Sequence, residues 1–206
     1  HRTLGLEFDI LTITNLSLEH LDYHHSLTEY RIVKGTLLNH LNEKSEYKKV
    51  ILNSDDNATS YFNTITLHEI DYFGLDNENM KVENQCLDVN ESSFLLKIDN
   101  VNYFVTTNLC GEFNIYNILN SLMIIKNLKF EVKDFINFIN NTKIIIPGRM
   151  NTYNIKERNF IIDYAHTIKA VENVLVYLNK IKGNRRIITV IGCGGNRDVT
   201  KRPLFG

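Results

Sequence analysis

The sequence predicts an α/β fold in two parts: a larger unit of mostly parallel strands and helices carrying a small antiparallel sheet, then the beginning of a second α/β unit. Three observations lead there. Apolar, β-branched runs that end in polar turns alternate with amphipathic helical stretches at both ends of the chain. Between them, residues 67–109 break into short, partly alternating runs such as SFLLKI and NYFVTTN, divided by Asn, Asp and Gly, as antiparallel hairpins are. Pro147-Gly148 then punctuates the chain between the two patterns and places the boundary there, with residues 1–148 in the first unit and 149–206 in the second.

FDILTITNLS reads as a buried strand running into a turn, the place where open α/β sheets carry their sites. From Ser26 to about Leu41 the spacing is helical, with Leu27, Tyr30, Val33, Leu37 and Leu38 on one broad face and Lys34 on the same helix. KKVILNSDDN is a second strand entering a loop rich in turn formers. After the hairpin region, FNIYNILNSLMIIKNL follows Gly111 as a helix, and VKDFINFINNTK makes a shorter amphipathic one. RNFIIDYAHT, AVENVLVYLNKIK and RRIITVIGCGG then read as strand, helix and buried strand, a βαβ unit.

Bulk properties exclude several classes. The 206 residues carry a net charge of −1 with both signs interspersed, so no one-signed field draws nucleic acid or an anionic membrane. Cys86, Cys110 and Cys193 are widely spaced and odd in number, which fits neither a disulfide framework nor a zinc site and points to a reducing cytoplasm. No apolar run approaches the roughly 18–20 residues that cross a bilayer, and His1 does not open a basic-then-apolar leader. A small-molecule partner is expected. Opening without Met and closing on KRPLFG just past a glycine turn, the chain reads as an internal piece of a longer protein.

Four constellations could carry chemistry. TNLSLEHLDYH puts His20, Asp22 and His24 just past a strand end, upstream of Lys34; imidazole and carboxylate can hold a divalent cation, although a histidine in a polar turn is far more often a cap or surface residue than a ligand. GEFNIYN sets Asn114 and Asn117 three apart on one face of a first helical turn, where amides can meet both donors and acceptors of an adenine edge, or Asn114 can cap the helix. IIIPGRM and IIDYAHT offer Arg149, whose planar fork suits phosphate, and Asp163 and His166 at a strand's end, where a carboxylate accepts ribose hydroxyls; a surface ion pair is the plainer reading. IGCGGNRDVTKRP is a glycine turn with Arg197, Asp198, Lys201 and Arg202; its backbone N–H groups can face an anion, but Arg197 at the sixth position breaks the dinucleotide fingerprint.

Taken in order, TNLS-x-EHLDYH, the helix with Lys34, N-SDD, G-FN-YN, PGRM, DYAHT and GCGGNRD-x-xKRP resemble the Mur ligases over the whole chain, and their tripeptide-synthetase branch in particular. The resemblance implies the family's central ATP-binding domain followed by the start of its Rossmann-like C-terminal domain. It implies ATP and Mg2+ as cofactors, and the addition of a diamino acid, meso-diaminopimelate or L-lysine, to UDP-N-acetylmuramoyl-dipeptide through an acyl phosphate. His20 and a carbamylated Lys34 would hold the metal. Asn114, Asn117, Arg149, Asp163 and His166 would bind the nucleotide, Arg2 the UDP-sugar peptide, and Arg197 a carboxylate of the incoming amino acid. A depressed lysine pKa permits CO2 addition, and carbamate oxygens suit a hard cation. A cytoplasmic monomer is expected. By the same resemblance the chain lacks the UDP-binding domain, the P-loop, a metal-binding glutamate before His1 and the selectivity loop beyond Gly206, so it should be inactive alone; the CGGNRD wording leans towards diaminopimelate. The alternatives are another Mur or folylpolyglutamate-type ligase, or a degenerate nucleotide-binding module.

Overall fold

The computed structural model describes residues 6–16, 26–42, 48–192 and 199–205. Three strands, β1 (Ile10–Ile13), β2 (Lys49–Asn53) and β3 (Glu69–Phe73), form a parallel sheet in the order β1-β2-β3. The register places Ile10 beside Lys49, and Lys49 beside Glu69. Between the strands run α1 (Leu27–Asn42) and α2 (Thr59–Ile65).

All five residues of β2 are buried, as a central parallel strand with both faces covered requires. Val50 and Leu52 pack with Leu38 and Leu41 of α1 and Phe62 of α2. Ile51 points the other way, into the core under α3 (Glu112–Asn127). Lys49, also buried, reaches Glu69 Oε1 at 2.9 Å and Asp71 Oδ1 at 3.2 Å, so its ammonium is paired where it leaves water.

The helical reading of residues 26–41 holds, and Ser26 starts the helix by accepting the Glu29 N–H at 3.1 Å. Val33 does not join its apolar face: it is exposed, and Gly35 is buried there instead, with the Tyr61 ring and Ile65 packed at the space a side chain would need.

The expectation of hairpins throughout 67–109 is corrected at its start. Residues 69–73 alternate as an antiparallel strand would, yet they form the outer strand of the parallel sheet among the described residues, reached through α2. An outer strand is half covered, so it shows period-two patterning whatever its pairing. The antiparallel sheet proper is β4 (Met80–Leu87), β5 (Ser92–Ile98) and β6 (Val101–Thr107), in that order. Ser92, Phe94, Leu96 and Ile98 alternate inward along β5. With α3 and α4 (Val132–Asn141), this sheet shares the core that contains Ile51 and Phe73.

Past Gly148, β7 (Asn151–Ile155) and β8 (Arg158–Ile162) pair as an antiparallel hairpin, and α5 (Ile168–Ile181) follows, capped by Thr167, whose Oγ accepts the Ala170 N–H at 3.2 Å. The expected buried strand over RRIITVIG is not formed: residues 186–192 have no strand structure, and Ile188 and Val190 are exposed. A parallel strand gains its stability from neighbours on both faces, and among the described residues none covers this run. Residues 199–205 make a short 3-10 segment. No helix among the described residues is long and apolar enough to cross a membrane.

Candidate functional site

The hairpin–helix unit docks where α3 begins. Cys110, Met150 and Tyr177 form a buried cluster, flanked by Leu87, Phe113, Ile161, Val174 and Leu178. Phe113 and Tyr177 meet edge to face at 6.4 Å. Two hydrogen bonds fasten the seam: Tyr177 donates its hydroxyl to the Asp88 carbonyl, and Thr152 Oγ donates to the Val89 carbonyl at 3.1 Å. Burial pushes the Cys110 thiol up to about 11, opposed by the Tyr177 hydroxyl and reinforced by Asp88 and Glu91. Burial also raises the Tyr177 phenol, with Cys110 next in effect.

On one side of that cluster stand the asparagines. Gly111 is the N-cap of α3, at φ 95, with no side-chain cap; a Cβ there would lie 2.7 Å from the Phe113 ring. Asn114 is therefore not the cap. It is buried in the first turn, donating to the Cys110 carbonyl at 2.8 Å and accepting from Asn117 Nδ2 at 3.1 Å. This pair orients Asn117, which is exposed and whose side-chain oxygen, Oδ1, accepts no hydrogen bond among the described residues.

On the other side stand the residues of PGRM and DYAHT. Asp163 is half-buried, and its two oxygens accept backbone N–H groups of Met150 at 2.9 Å and Ala165 at 2.8 Å. Met150 needs that support, because it holds φ 47, a left-handed conformation uncommon for a residue with a side chain. Arg149 is exposed, its guanidinium 4.3 Å from the Tyr164 ring centroid. His166 meets the same ring at 5.1 Å, with Nδ1 3.0 Å from the Tyr164 carbonyl oxygen.

The structure thus brings together Arg149, Asp163 and His166, and separately Asn114 and Asn117, and connects the two groups through Cys110 and Met150. Sequence reasoning missed Tyr164, an exposed aromatic between a strand end and a helix cap; that exposure is the signal that marks it. The loop of Asp55 and Asp56 was read as a turn and as part of the family resemblance, with no role given to either carboxylate. Lys34 is exposed on α1, its ammonium 5.3 Å from the Tyr30 ring centroid. His20, Arg2 and Arg197 lie outside the described residues.

Amides, a guanidinium on an aromatic face and a carboxylate with spare lone pairs fit the chemistry of a nucleotide. For a metal the described residues are insufficient: no group of three or more His, Cys, Asp or Glu among them could hold one.

Fold and site define an α/β protein with an antiparallel sheet on its main core and a hairpin–helix unit seated at the start of α3. The profile of the Mur ligase middle domain matches residues 1–125, and that of the Mur ligase, glutamate ligase domain, matches residues 148–206. The chain belongs to the Mur ligase family. Among its relatives, the UDP-N-acetylmuramoyl-L-alanyl-D-glutamate–2,6-diaminopimelate ligase of Halalkalibacterium halodurans is 32% identical over 99% of this chain and 42% of its own length. UDP-N-acetylmuramyl-tripeptide synthetase 2 of Oceanobacillus iheyensis is 35% identical over the same shares. The chain therefore spans about two fifths of these relatives. A solved structure of a UDP-N-acetylmuramoyl-L-alanyl-D-glutamate–2,6-diaminopimelate ligase superposes with a TM-score of 0.70 at 28% identity, covering 98% of this chain and 42% of that one. MurF from Acinetobacter baumannii, at 18% identity and a TM-score of 0.75 over 84% of this chain and 37% of its own, shares the fold.

Proposed function

We propose that these 206 residues belong to a cytoplasmic, monomeric, ATP-dependent ligase that adds a diamino acid to UDP-N-acetylmuramoyl-L-alanyl-D-glutamate in peptidoglycan biosynthesis, with diaminopimelate the favoured third residue. Family membership and the names of the relatives support the reaction and the substrate. The observation that carries the nucleotide reading is the junction at Cys110 and Met150, where the Asn114 pair and the Asp163 staple meet from two sides. The boundary near Gly148 is proposed on the same ground, since the chain turns there, with the Arg149 N–H bonded to the Ile146 carbonyl at 3.0 Å.

In this reading Asn117 meets the adenine edge and Asp163 uses its remaining lone pairs for ribose hydroxyls. Arg149, held flat by Tyr164, neutralises phosphate charge, and His166 braces the same ring. Because the asparagines and the Arg–Asp group come from two units, bound nucleotide orients one against the other, and orientation supplies much of the rate. His20 and a carbamylated Lys34 would hold magnesium, which neutralises phosphate oxygens when bound. Arg2 would contact the UDP-sugar peptide, and Arg197 the incoming amino acid's carboxylate.

The test is ligation by the full-length protein supplied with ATP, Mg2+, UDP-N-acetylmuramoyl-L-alanyl-D-glutamate and either meso-diaminopimelate or L-lysine. Tripeptide product with one phosphate released per bond, and more of it with diaminopimelate, is expected; absence of product with both amino acids would refute the proposal.

A further inference from the structure

We propose that Asp55 and Asp56 are positioning residues for the nucleotide site, in a loop that sets the first turn of α3 against the exit of β1. The inference rests on the nucleotide reading above. Each carboxylate ties the loop to a different element. Asp55 Oδ2 accepts the Tyr116 hydroxyl at 2.9 Å and the Leu75 N–H at 2.7 Å, joining α3 to the segment after β3. Asp56 Oδ2 accepts the Leu16 N–H at 3.0 Å, and its Oδ1 accepts the Ala58 N–H at 2.9 Å, joining the chain just past β1 to the start of α2. Asn53 adds a third tie, donating to the Thr14 carbonyl at 2.9 Å.

Tyr116 lies between Asn114 and Asn117, so the hydroxyl bonded to Asp55 fixes the rotation of the very turn that presents the amides. The loop is built for close approach. A Cβ at Gly74 would come 2.1 Å from Ser54 Oγ and 3.0 Å from both Asp55 carboxylate oxygens. Thr12 Oγ also donates to Asn120 Oδ1 at 2.5 Å, so β1 and α3 are held together one turn further along. Residues 14–16, which Asn53 and Asp56 pin, lead directly into the segment bearing His20.

The test uses the full-length protein, with ADP as the probe in calorimetry, ATP in steady-state ligation, and melting temperature as the structural readout. Tyr116→Phe and Asp55→Ala should each weaken ADP binding and raise the ATP KM ~5-fold or more, with the single bond lost in Tyr116→Phe lowering the melting temperature by no more than roughly 6 °C. Asn140→Ala is the structural control: it breaks an equally two-sided tie, to the Phe104 carbonyl at 3.0 Å and the Thr106 N–H at 2.9 Å, which joins α4 to β6 and includes neither Asn114 nor Asn117. It should lower the melting temperature and leave ADP affinity unchanged. If Tyr116→Phe and Asp55→Ala bind ADP as wild type does, whatever their melting temperatures, the loop is only structural and the inference fails. If the wild-type protein itself binds no ADP, the nucleotide reading fails and this inference with it.

Discussion

Replacing Asp163 by Asn separates what this carboxylate does for the fold from what it is proposed to do for a ligand. The aspartate accepts two backbone N–H groups, one on each oxygen, and one of them belongs to Met150 in its left-handed conformation. An amide of the same shape can accept only one of the two; its NH2 group then faces the other donor. A hydrogen bond to a charged acceptor contributes about 1.5–3 kcal/mol, and the half-exposure of Asp163 places the loss near the lower end, at about 1.5 kcal/mol. For a chain of this size that is a fall of roughly 3–6 °C in melting temperature. Circular dichroism melts give the magnitude, and amide hydrogen exchange gives the place: the Met150 and Ala165 amides should lose protection while those of β2 keep theirs. A melting temperature within 1 °C of wild type, or equal loss of protection throughout the chain, would refute the reasoning.

Two further outcomes follow from the packing. Because its thiol is buried and pushed up to about 11 from its ordinary 9.0, Cys110 should resist alkylation at pH 8 while exposed Cys86 reacts, as peptide mass mapping would reveal. The folded value lies above the unfolded one, so this contribution to stability is complete below about pH 9 and is lost as pH rises through 11; Cys110→Ala should flatten that decline in urea titrations. Phe94→Ala, at a site with 0% exposure in the core shared by the antiparallel sheet and α3, should cost about 3–5 kcal/mol in the same urea titrations.

Much of this architecture was legible because the chain marks its helices twice, by apolar period and by end chemistry. α1 and α5 carry both signals, with Ser26 and Thr167 as caps. α3 was legible from Gly111 and the apolar run behind it. What failed was pairing. Periodicity reports how many faces of a strand are covered and says nothing about which neighbour covers them, so Glu69–Phe73 read as a hairpin strand. The β7 strand, NTYNI, is polar at alternate positions and half exposed, and left no apolar run to find. RRIITVIG shows the converse: a sequence that suits a buried strand forms none and is largely exposed where no described element covers it.

The site divides in the same way. Asn114, Asn117, Arg149, Asp163 and His166 were legible as residue types that suit a nucleotide, and the family resemblance tied them to one ligand. Their meeting through Cys110 and Met150 depends on tertiary packing that no local pattern encodes. Asp55 was hidden for a different reason: aspartates after a strand are common turn formers, and its bond to Tyr116 spans 61 positions.

If one nucleotide is held jointly by the start of α3 and the turn after β8, a crystal structure of the full-length protein with ADP and Mg2+ will show it touching both. The base should lie against Asn114 and Asn117 with the ribose on Asp163. A nucleotide bound away from either group would contradict the account.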